Sequence, residues 1–473
     1  MTILSRALVA AIAAAAVWTA AAVATTWTAL PALRTDFYSS IPRDQVGTFQ
    51  RRVGVMTSAG ADWIHAGWIA DPERESYRVS LRSGDEAWSP VTTTRYGSAL
   101  VGDLRAGSDY EVRVEAVAEA AGAAARELGT ATVRTTVEPG PLERPVIAGP
   151  WRRLFRPSKA GNYVNDHTVF RDASGRWRVL GITGPGRGDY NAELRLAQGL
   201  APDRAAPLAA QVPGGATSPP APLTLRELLA AGGMTEDEPV ADFRRPAWAP
   251  HVIREHGGLF HLYWSPHRLA HAVSIDGAHW YRRPDAIALP SGWFFRDAML
   301  LEVARGQWLL YATARGWWYS RVDLYQSFDL DHWQHIGVAW QGQSGSERNA
   351  LVSSAESPFV VARGGRYYLS ITYNNETGIA APLALALGYW TGGARAYNDT
   401  LVFASGDPYE FGTWRGRGRA SGLVAELEAH APEIVRDDAD DAWYVTTCGW
   451  PLAATLTSGE VAAAPLRWEP VTR

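Results

Sequence analysis

The chain has 473 residues, with 45 basic and 49 acidic side chains and a formal net charge of −4. This length accommodates about two or three domains, and the nearly balanced charge argues against nucleic-acid binding, which requires a basic surface. The single cysteine, Cys448, excludes a disulfide within the chain and a metal site made of cysteines. We expect Cys448 to be a small buried apolar residue.

Residues 1–30 have the composition of an export signal. Arg6 supplies one charge, and an apolar run follows from Ala7 to Ala24. These features predict a secretory signal peptide, and the length of the run leaves an uncleaved membrane anchor as the alternative. In either case we expect the rest of the chain to be exported, as a secreted protein or as one that is anchored by its N-terminus and faces outside.

Short segments of alternating apolar and polar residues occur between residues 46 and 137 and predict a β-sandwich. This region resembles a fibronectin type III domain, which has an immunoglobulin-like fold. Trp68 matches the early core tryptophan of that family, and Leu104, Gly107 and Tyr110 match its leucine and its tyrosine-corner strand. The resemblance implies a spacer or docking module without chemistry of its own.

Residues 138–147 are rich in proline and glycine, which predicts a linker. After it, a strand–turn–strand pattern recurs five times up to the C-terminus. The second strands of the repeats align on an aromatic residue: Trp177, Phe260, Trp308, Tyr367 and Trp443. Because one such unit cannot bury its apolar face alone, the five copies predict a five-bladed β-propeller over residues 148–473. The expected fold class is all-β, with a different all-β architecture as the alternative.

The longest insertion between repeats covers residues 184–245 and is rich in proline and alanine. Within it, Leu223–Gly232 has apolar residues at helical spacing, which predicts one short amphipathic helix. In a propeller, such insertions lie at the rims and often shape the binding face.

Carboxylates occur near the start of the first strand in three repeats: Asp166, Asp297 and Glu356. Counting back from the second-strand aromatic places all three at one position, where the other repeats have Ala249 and Ala431. First strands line the central channel of a propeller, so the acids should converge at one mouth of it. Their repulsion should raise at least one pKa and provide a proton donor beside ionised partners, as glycoside hydrolysis requires. Alternatively, each acid is a turn residue or pairs with a neighbouring arginine.

Residues 148–473 resemble the five-bladed glycoside hydrolases of families 43, 32 and 68. The motifs that carry the resemblance are Val164–Asp166, Trp248–His251, Phe295–Ala298, Ala355–Pro358 and His430–Pro432. Trp-Ala-Pro and His-Ala-Pro are typical of family 43, whereas Arg-Asp is typical of the fructan-acting families. His167 and Ala298 replace the proline that usually follows each aspartate, which indicates a divergent relative.

The resemblance implies a role for each acid. Glu356 would be the general acid, and Asp297 would orient the sugar or tune Glu356. Asp166 would be the general base of an inverting family 43 enzyme or the nucleophile of a retaining family 32 or 68 enzyme. The separation of the carboxylates decides between these outcomes.

The candidate substrate-binding residues are Asn165, Trp248, His251, Arg296 and Trp317. For His251 the alternative is a structural hydrogen-bonding role, and for the tryptophans it is the core. In many family 43 propellers the histidine of the fifth blade helps to hold a calcium ion or a water molecule. The resemblance extends this role to His430, with a structural histidine as the alternative. No cofactor is required by the expected reaction.

These observations predict an exported glycoside hydrolase that cleaves furanoside or xyloside linkages of polysaccharides, such as an arabinofuranosidase or xylosidase. A fructan hydrolase or transferase, with Arg296 gripping fructose hydroxyls, is the first alternative. A propeller that binds carbohydrate without catalysis is the second. The expected partner is an oligo- or polysaccharide, and the membrane is involved only if the N-terminal segment is uncleaved.

Overall fold

The computed structural model describes residues 54–70, 76–117, 125–158, 162–184, 193–204, 221–240, 246–287, 295–315, 319–343, 354–374, 399–414, 422–449 and 459–472. Regular structure in these ranges is almost entirely β-strand, as predicted, and the one α-helix there is α1 (Leu225–Ala230). No helix of these ranges is long and apolar enough to cross a membrane. The predicted signal segment, residues 1–30, and Trp317 lie outside the described residues.

The N-terminal unit consists of two antiparallel sheets that share one apolar core. Its strands are β1 (Met56–Ala59), β2 (Ile64–Gly67), β3 (Ser76–Arg82), β4 (Ser89–Thr94), β5 (Ser98–Val101), β6 (Asp109–Val117) and β7 (Arg126–Arg134). One sheet has the order β1-β2-β5 and the other β4-β3-β6-β7. Alternate residues of β3 and β6, among them Val79, Val112 and Val114, pack with Trp68 between the sheets, because side chains alternate across a strand.

The strands of the rest of the described chain form five sheets, which we call sheets I to V, and their pairings are antiparallel except for one short parallel pairing in sheet III. The strands before them are β8 (Glu143–Ile147) and β9 (Arg152–Phe155). Sheet I contains β10 (Asn165–Arg171), β11 (Trp177–Thr183), β12 (Arg195–Leu200) and β13 (Thr235–Val240); sheet II contains β14 (Trp248–Arg254), β15 (Phe260–Ser265), β16 (Ala270–Ser274) and β17 (Tyr281–Arg282). Sheet III contains β18 (Arg296–Ala304), β19 (Gln307–Arg315), β20 (Tyr319–Ser327) and β21 (Gln334–Gln343); sheet IV begins with β22 (Ser354–Arg363), β23 (Arg366–Asn374) and β24 (Asp399–Ser405). The short β25 (Thr413–Trp414) joins sheet III, β26 (Leu423–Glu428) completes sheet IV, and sheet V contains β27 (Ile434–Asp437), β28 (Ala442–Thr447) and β29 (Val461–Pro470).

Sheet V is completed by a segment from the other end of this unit. Strand β8 pairs antiparallel with β29, where Ile147 is opposite Leu466, and β9 pairs with β29 as well. The composition of residues 138–147 predicts a linker, but Glu143–Ile147 is a strand of this sheet. Its backbone groups gain ladder hydrogen bonds on the edge of β29, and that outweighs the local preference of proline and glycine for irregular structure.

Hydrogen bonds join the five sheets in the order I, II, III, IV, V and back to I. In each case a backbone N–H donates to a side-chain oxygen of a neighbouring sheet. The pairs are Val252 to Thr168 Oγ1 (3.4 Å), Asp297 to Ser265 Oγ (3.1 Å), Ala355 to Ser320 Oγ (3.1 Å), Ala431 to Thr372 Oγ1 (2.9 Å) and Val169 to Glu433 Oε2 (2.7 Å). The five sheets therefore form a closed ring.

An apolar cluster fills the space between each pair of neighbouring sheets. Each cluster includes a tryptophan: Trp264 between I and II, Trp308 between II and III, Trp340 between III and IV, Trp468 between IV and V, and Trp177 between V and I. The helix α1 also packs on the last of these clusters through Leu225, Leu228 and Leu229. Its N-terminus has a capping box in which Thr224 and Glu227 bond each other's backbone N–H, so the predicted helix is confirmed.

The N-terminal unit is attached to sheet III through a buried contact. Trp63 belongs to the apolar cluster between sheets III and IV, and its indole N–H donates to the Gly406 carbonyl (2.8 Å). The hydroxyls of Ser58 and Tyr409 are 2.7 Å apart, and the His65 ring stacks on Tyr409 at 4.0 Å. The two units therefore share part of one core.

Candidate active site

The five repeats share one backbone irregularity where their first strands begin. At this point of each repeat one residue other than glycine has a positive φ: Asp166 (34°), Ala249 (44°), Asp297 (56°), Ser357 (49°) and Ala431 (45°). In sheets I to IV the pairing register also shifts there, as in a β-bulge. Residues other than glycine rarely adopt a positive φ, because Cβ crowds the backbone. Such bulges re-aim side chains and are common next to active sites. We call these five the bulge residues.

The bulge residue of sheet IV is Ser357, whereas counting from the second-strand aromatic predicts Glu356. Glu356 pairs with Thr372 in the same way as Arg296 pairs with Thr313, at the last regular pair before the bulge. The count is one residue out because the fourth hairpin is one residue shorter than the first three. Asp166 and Asp297 thus share one position, and Glu356 precedes it.

The residues immediately before the bulge residues form a second set, the pre-bulge residues. They are Asn165, Trp248, Arg296, Glu356 and His430. Every one of them carries a hydrogen-bonding, charged or aromatic group. The side chains of Arg296 and Glu356 retain 12% and 15% of their surface exposed, so both can meet a ligand. Four sequence-predicted binding or metal residues and one predicted catalytic residue therefore occupy equivalent places around the ring.

Ser357 bridges two of the three acids. Its hydroxyl donates to Asp166 Oδ1 (3.1 Å), and its backbone N–H donates to Asp297 Oδ2 (3.1 Å). Asp297 and Asp166 are buried, with 2% and 8% of their surfaces exposed. Because the bulge aims Ser357 between sheets I and III, it holds carboxylates from two different sheets in one cluster. No sequence motif predicts a role for this residue.

Arg296 connects the same cluster to Glu356. Its guanidinium lies 2.6 Å from Glu356 Oε1 and 3.2 Å from Asp297 Oδ2. Burial opposes the charge of Arg296, but the charges of Asp297 and Glu356 hold its pKa above the usual value. Glu356 and Asp297 therefore pair with an arginine, as the alternative prediction states. The same two acids also belong to the carboxylate cluster, so the two predictions hold together.

Burial raises the pKa of Asp166 to about 6, and the charge of Glu356 adds to this rise, whereas Arg296 and the Ser357 hydroxyl lower the value. Burial also raises the pKa of Asp297 to about 7; Arg296 opposes that rise, and Asp166 and Glu356 add to it. The repulsion between the converging carboxylates thus adds to both rises, and burial is the larger cause of each. Because the two acids interact, they titrate as a pair. The cluster can therefore hold a carboxylic acid proton near neutral pH beside an ionised partner.

His430, the predicted calcium residue, is fully buried, and its Nε2 lies 3.8 Å from Asp166 Oδ1. Cys448 is the third ligating side chain of this group, and one ligand atom from each residue lies within 4.8 Å of the others. Calcium binds six to eight oxygen ligands. A set of one carboxylate oxygen, one imidazole nitrogen and one sulfur does not fit calcium. Cys448 is buried, as predicted, but it faces polar atoms, with its Sγ 3.9 Å from Asn165 Oδ1.

Another predicted binding residue, His251, lines a small cavity beside Asp166 and Asp297. His251 is further along β14, where its Nδ1 is 3.7 Å from Glu433 Oε1 and its ring lies edge-on to Phe359. Glu433 is not among the residues predicted from the sequence. Its carboxylate also accepts a hydrogen bond from the Val169 N–H and so joins sheet V to sheet I. The geometry around His251 favours its structural alternative. Trp317 lies outside the described residues.

No protein-family model matches the chain, and no curated protein matches it. Similar solved structures include a thermostable family-43 glycoside hydrolase (14% identity, TM-score 0.42, 68% of this chain and 97% of that chain covered). They also include the GH32 β-fructofuranosidase of Bombyx mori (14%, 0.42, 67% and 62%) and the α-L-arabinofuranosidase Arb93A of Fusarium graminearum (13%, 0.40, 67% and 97%). At these identities and TM-scores, the likeness does not assign an activity to this chain. Its function is therefore inferred from the residues of the site.

Proposed function

We propose that this chain is an exported glycoside hydrolase built on a five-bladed β-propeller. The observation that carries the proposal is the cluster of Asp166, Asp297 and Glu356, which come from three different sheets and are held together by Ser357 and Arg296. Glycoside hydrolysis needs a pair of carboxyl groups with different protonation states. Burial raises the pKa values of Asp166 and Asp297, which supports a proton held within the cluster near neutral pH, and Glu356 would deliver that proton to the leaving oxygen.

The proposed domains follow the predicted boundaries apart from the linker. The ring of sheets I to V supports a propeller whose blades are these sheets, with β8 as part of the last blade. The strand orders β1-β2-β5 and β4-β3-β6-β7 support a fibronectin type III-like domain over residues 46–137. The Tyr110 hydroxyl accepts from the Arg105 N–H (3.1 Å), a bond of the tyrosine-corner type.

In the proposed mechanism, Asp166 acts ionised, as the base that activates water or as the nucleophile. Glu356, the most exposed of the three acids, protonates the leaving oxygen. Asp297 is almost completely buried and positions Arg296 and Ser357. Binding of a sugar hydroxyl by Arg296 would weaken its ion pair with Glu356, and that change would favour protonation of Glu356.

The proposed substrate is a furanoside or xyloside linkage of a polysaccharide. The cavity beneath the acids is lined by Asp166, Asp297 and Ser357 and has a volume of about 30 Å³, room for about two water molecules. A sugar ring therefore has to bind above the acids, against the pre-bulge residues. Trp248 offers it an aromatic face, and Arg296 and Asn165 offer hydrogen bonds.

A fructan-acting enzyme is the second candidate, and one observation favours it. Arg296 contacts both Asp297 and Glu356, so a hydroxyl-rich furanose that bonds to Arg296 would be held directly against two of the acids. Both candidates use the same cluster. They differ in the sugar that fits between Arg296 and Trp248.

The experiment is to incubate the purified protein with arabinan, arabinoxylan, inulin and levan and to identify the released sugars. Release of pentose supports the furanosidase or xylosidase proposal, and release of fructose supports the second candidate. Binding to one polysaccharide without release of any sugar would contradict both and would favour a carbohydrate-binding propeller. The α or β form of the first product, followed by NMR, would distinguish inversion from retention.

A further inference from the structure

Three ligating side chains meet under the mouth of the proposed catalytic site. Asp166 is at the start of β10, His430 precedes β27, and Cys448 follows β28. All three are at least nine-tenths buried, and one ligand atom from each lies within 4.8 Å of the other two. The His430 Nε2 to Asp166 Oδ1 distance is 3.8 Å. The three side chains come from sheets I and V, so the fold and not the local sequence brings them together.

The donor atoms of this group are one sulfur, one imidazole nitrogen and one carboxylate oxygen. Zinc and similar divalent cations prefer such mixed sets, in tetrahedral sites with bonds of about 2.0–2.3 Å. Those bonds place neighbouring ligand atoms about 3.3–3.7 Å apart. Ligand atoms that lie within 4.8 Å of one another thus have to approach by up to about 1.1–1.5 Å. Asn165 Oδ1, 3.9 Å from the sulfur, stands where it can serve as a fourth ligand.

We propose that Asp166, His430 and Cys448 form a binding site for a thiophilic divalent cation of the zinc type. Binding forms one bond from the metal to each ligand, and the thiol proton is released to solvent as the thiolate–metal bond forms. The site differs from the calcium site expected at His430, because two of its three donors are soft or borderline and only one is an oxygen.

The site shares Asp166 with the proposed catalytic cluster and Asn165 with the proposed sugar-binding residues. An occupied site engages the carboxylate that the proposed hydrolysis needs, so the cation inhibits hydrolysis. This consequence depends on the proposed function, whereas binding of the cation does not.

The test is titration of the purified full-length protein with Co²⁺, a spectroscopic substitute for Zn²⁺. Because Cys448 is the only cysteine, a thiolate-to-cobalt charge-transfer band can arise only from it. The band should appear in the wild type, should be displaced by Zn²⁺ but not by Ca²⁺, and should be absent from Cys448→Ala and Cys448→Ser. His430→Gln should weaken Co²⁺ binding at least ~10–100-fold. His256→Gln, at a histidine whose side chain is 58% exposed, is the matched control and should bind as the wild type does.

Absence of the band at saturating Co²⁺, or a band whose affinity does not change in His430→Gln, would overturn the metal site. Thermal melting of each variant would show whether that variant is folded. If a variant does not fold, the presence or absence of the cobalt band in the wild type decides whether the metal site exists. If hydrolysis is found, Zn²⁺ should suppress it in the wild type but leave Cys448→Ser at its own metal-free rate. A cobalt band without any hydrolysis would leave the metal site standing and remove the proposed function. Hydrolysis without a cobalt band would remove the metal site and leave the proposed function standing.

Discussion

At the scale of residues, the site depends on two connectors between the carboxylates. Ser357 donates from its hydroxyl to Asp166 and from its backbone to Asp297, and Arg296 pairs with Asp297 and Glu356. Without them, three acids in a buried space would repel each other and spread apart. Each connector therefore sets both the geometry and the pKa values of its partners.

Glu356→Gln should strongly reduce hydrolysis of substrates with poor leaving groups, by about 10²–10⁴-fold. Activated aryl glycosides should lose much less, because their leaving groups need no proton. The measurement compares kcat for both substrate types in the variant and in the wild type. An equal loss on both would remove Glu356 from the role of the acid.

Arg296→Met should move the acid limb of the pH profile of kcat/KM to higher pH. In the proposed mechanism this limb reports ionisation of the interacting pair Asp166 and Asp297, and burial raises the pKa of Asp166 to about 6. Arg296 lowers the pKa of both Asp166 and Asp297, so its removal raises them, and a higher pH is then needed to ionise the base. Arg436→Met, at an arginine with a 51% exposed side chain, is the charge-matched control and should leave the limb in place. A limb unchanged in Arg296→Met would show that Asp166 is not the titrating group.

The residues of the site are largely predictable from sequence, but their register is not. Counting from aromatics finds Asp166 and Asp297 and misplaces Glu356 by one residue, since hairpin length varies between repeats. A better signal is the proline that follows the bulge position in three repeats: Pro250, Pro358 and Pro432. Aligning these prolines identifies Ser357 as the counterpart of Asp166. Cys448 gave no signal, because its spacing of 18 residues from His430 matches no metal motif and Asp166 belongs to a different sheet.

At the scale of elements, the recurring bulge is the device that positions the site. Five non-glycine residues have a positive φ at the same point of their repeats, and Ala249 and Ala431 do so without a functional side chain. The conformation costs about 1–2 kcal/mol per residue. The two repeats with alanine have the same backbone conformation, which indicates that the bulge is a feature of the ring architecture. Asp166 and Asp297 occupy a position that this architecture already provides.

Ala249→Gly should relieve this strain, whereas Ala298→Gly should not. Both alanines are buried and lose one methyl group, but only Ala249 has a positive φ. We expect the free energy of unfolding of Ala249→Gly to exceed that of Ala298→Gly by about 1–2 kcal/mol, measured by urea denaturation. Equal values for the two variants would mean that the bulge is not strained.

Local pattern predicts the elements better than it predicts how they pair. Alternating strands and the capped helix α1 follow from composition and spacing, because their hydrogen bonds and apolar faces are local. Strand β8 does not, because Glu143–Ile147 is stabilised by β29, more than 300 residues away in sequence. The proline and glycine near β8 predict a linker. The segment forms a strand because its backbone pairs with β29 at the edge of sheet V.

At the scale of the whole molecule, the N-terminal unit is part of the stable core. Its Trp63 shares an apolar cluster with sheets III and IV, and His65 Nδ1 accepts a hydrogen bond from the side-chain amide of Gln307 in sheet III (3.0 Å). A spacer with no chemistry was predicted for this unit from resemblance. Because of these contacts, we expect the N-terminal unit and the ring to unfold together in one transition.

Acid should weaken this contact. Burial lowers the pKa of His65 to about 3, so His65 is neutral in the fold, while in the unfolded chain it titrates near its ordinary value of 6.5. Below that pH the unfolded chain binds a proton that the fold does not, and stability falls by at most about 1.4 kcal/mol per pH unit between about pH 6.5 and 3. At neutral pH this cost is absent.

His65→Asn is the variant that tests this, because asparagine keeps a hydrogen-bonding group near Nδ1 and does not titrate. We expect urea denaturation at pH 7 and pH 5 to show a smaller loss of stability in His65→Asn than in the wild type. His167, whose pKa burial lowers to about 4, should account for part of the loss that remains. The same loss in both proteins would exclude His65 as an acid-sensitive group.

The most direct test of the central claim is turnover by Asp166→Asn on whichever polysaccharide the wild type hydrolyses. Asp438→Asn, at an aspartate with an 87% exposed side chain, is the control for loss of one negative charge. We expect Asp166→Asn to lose turnover by several orders of magnitude while calorimetry still detects sugar binding, and we expect Asp438→Asn to retain both. Turnover retained in Asp166→Asn would contradict the claim that this carboxylate cluster performs the chemistry.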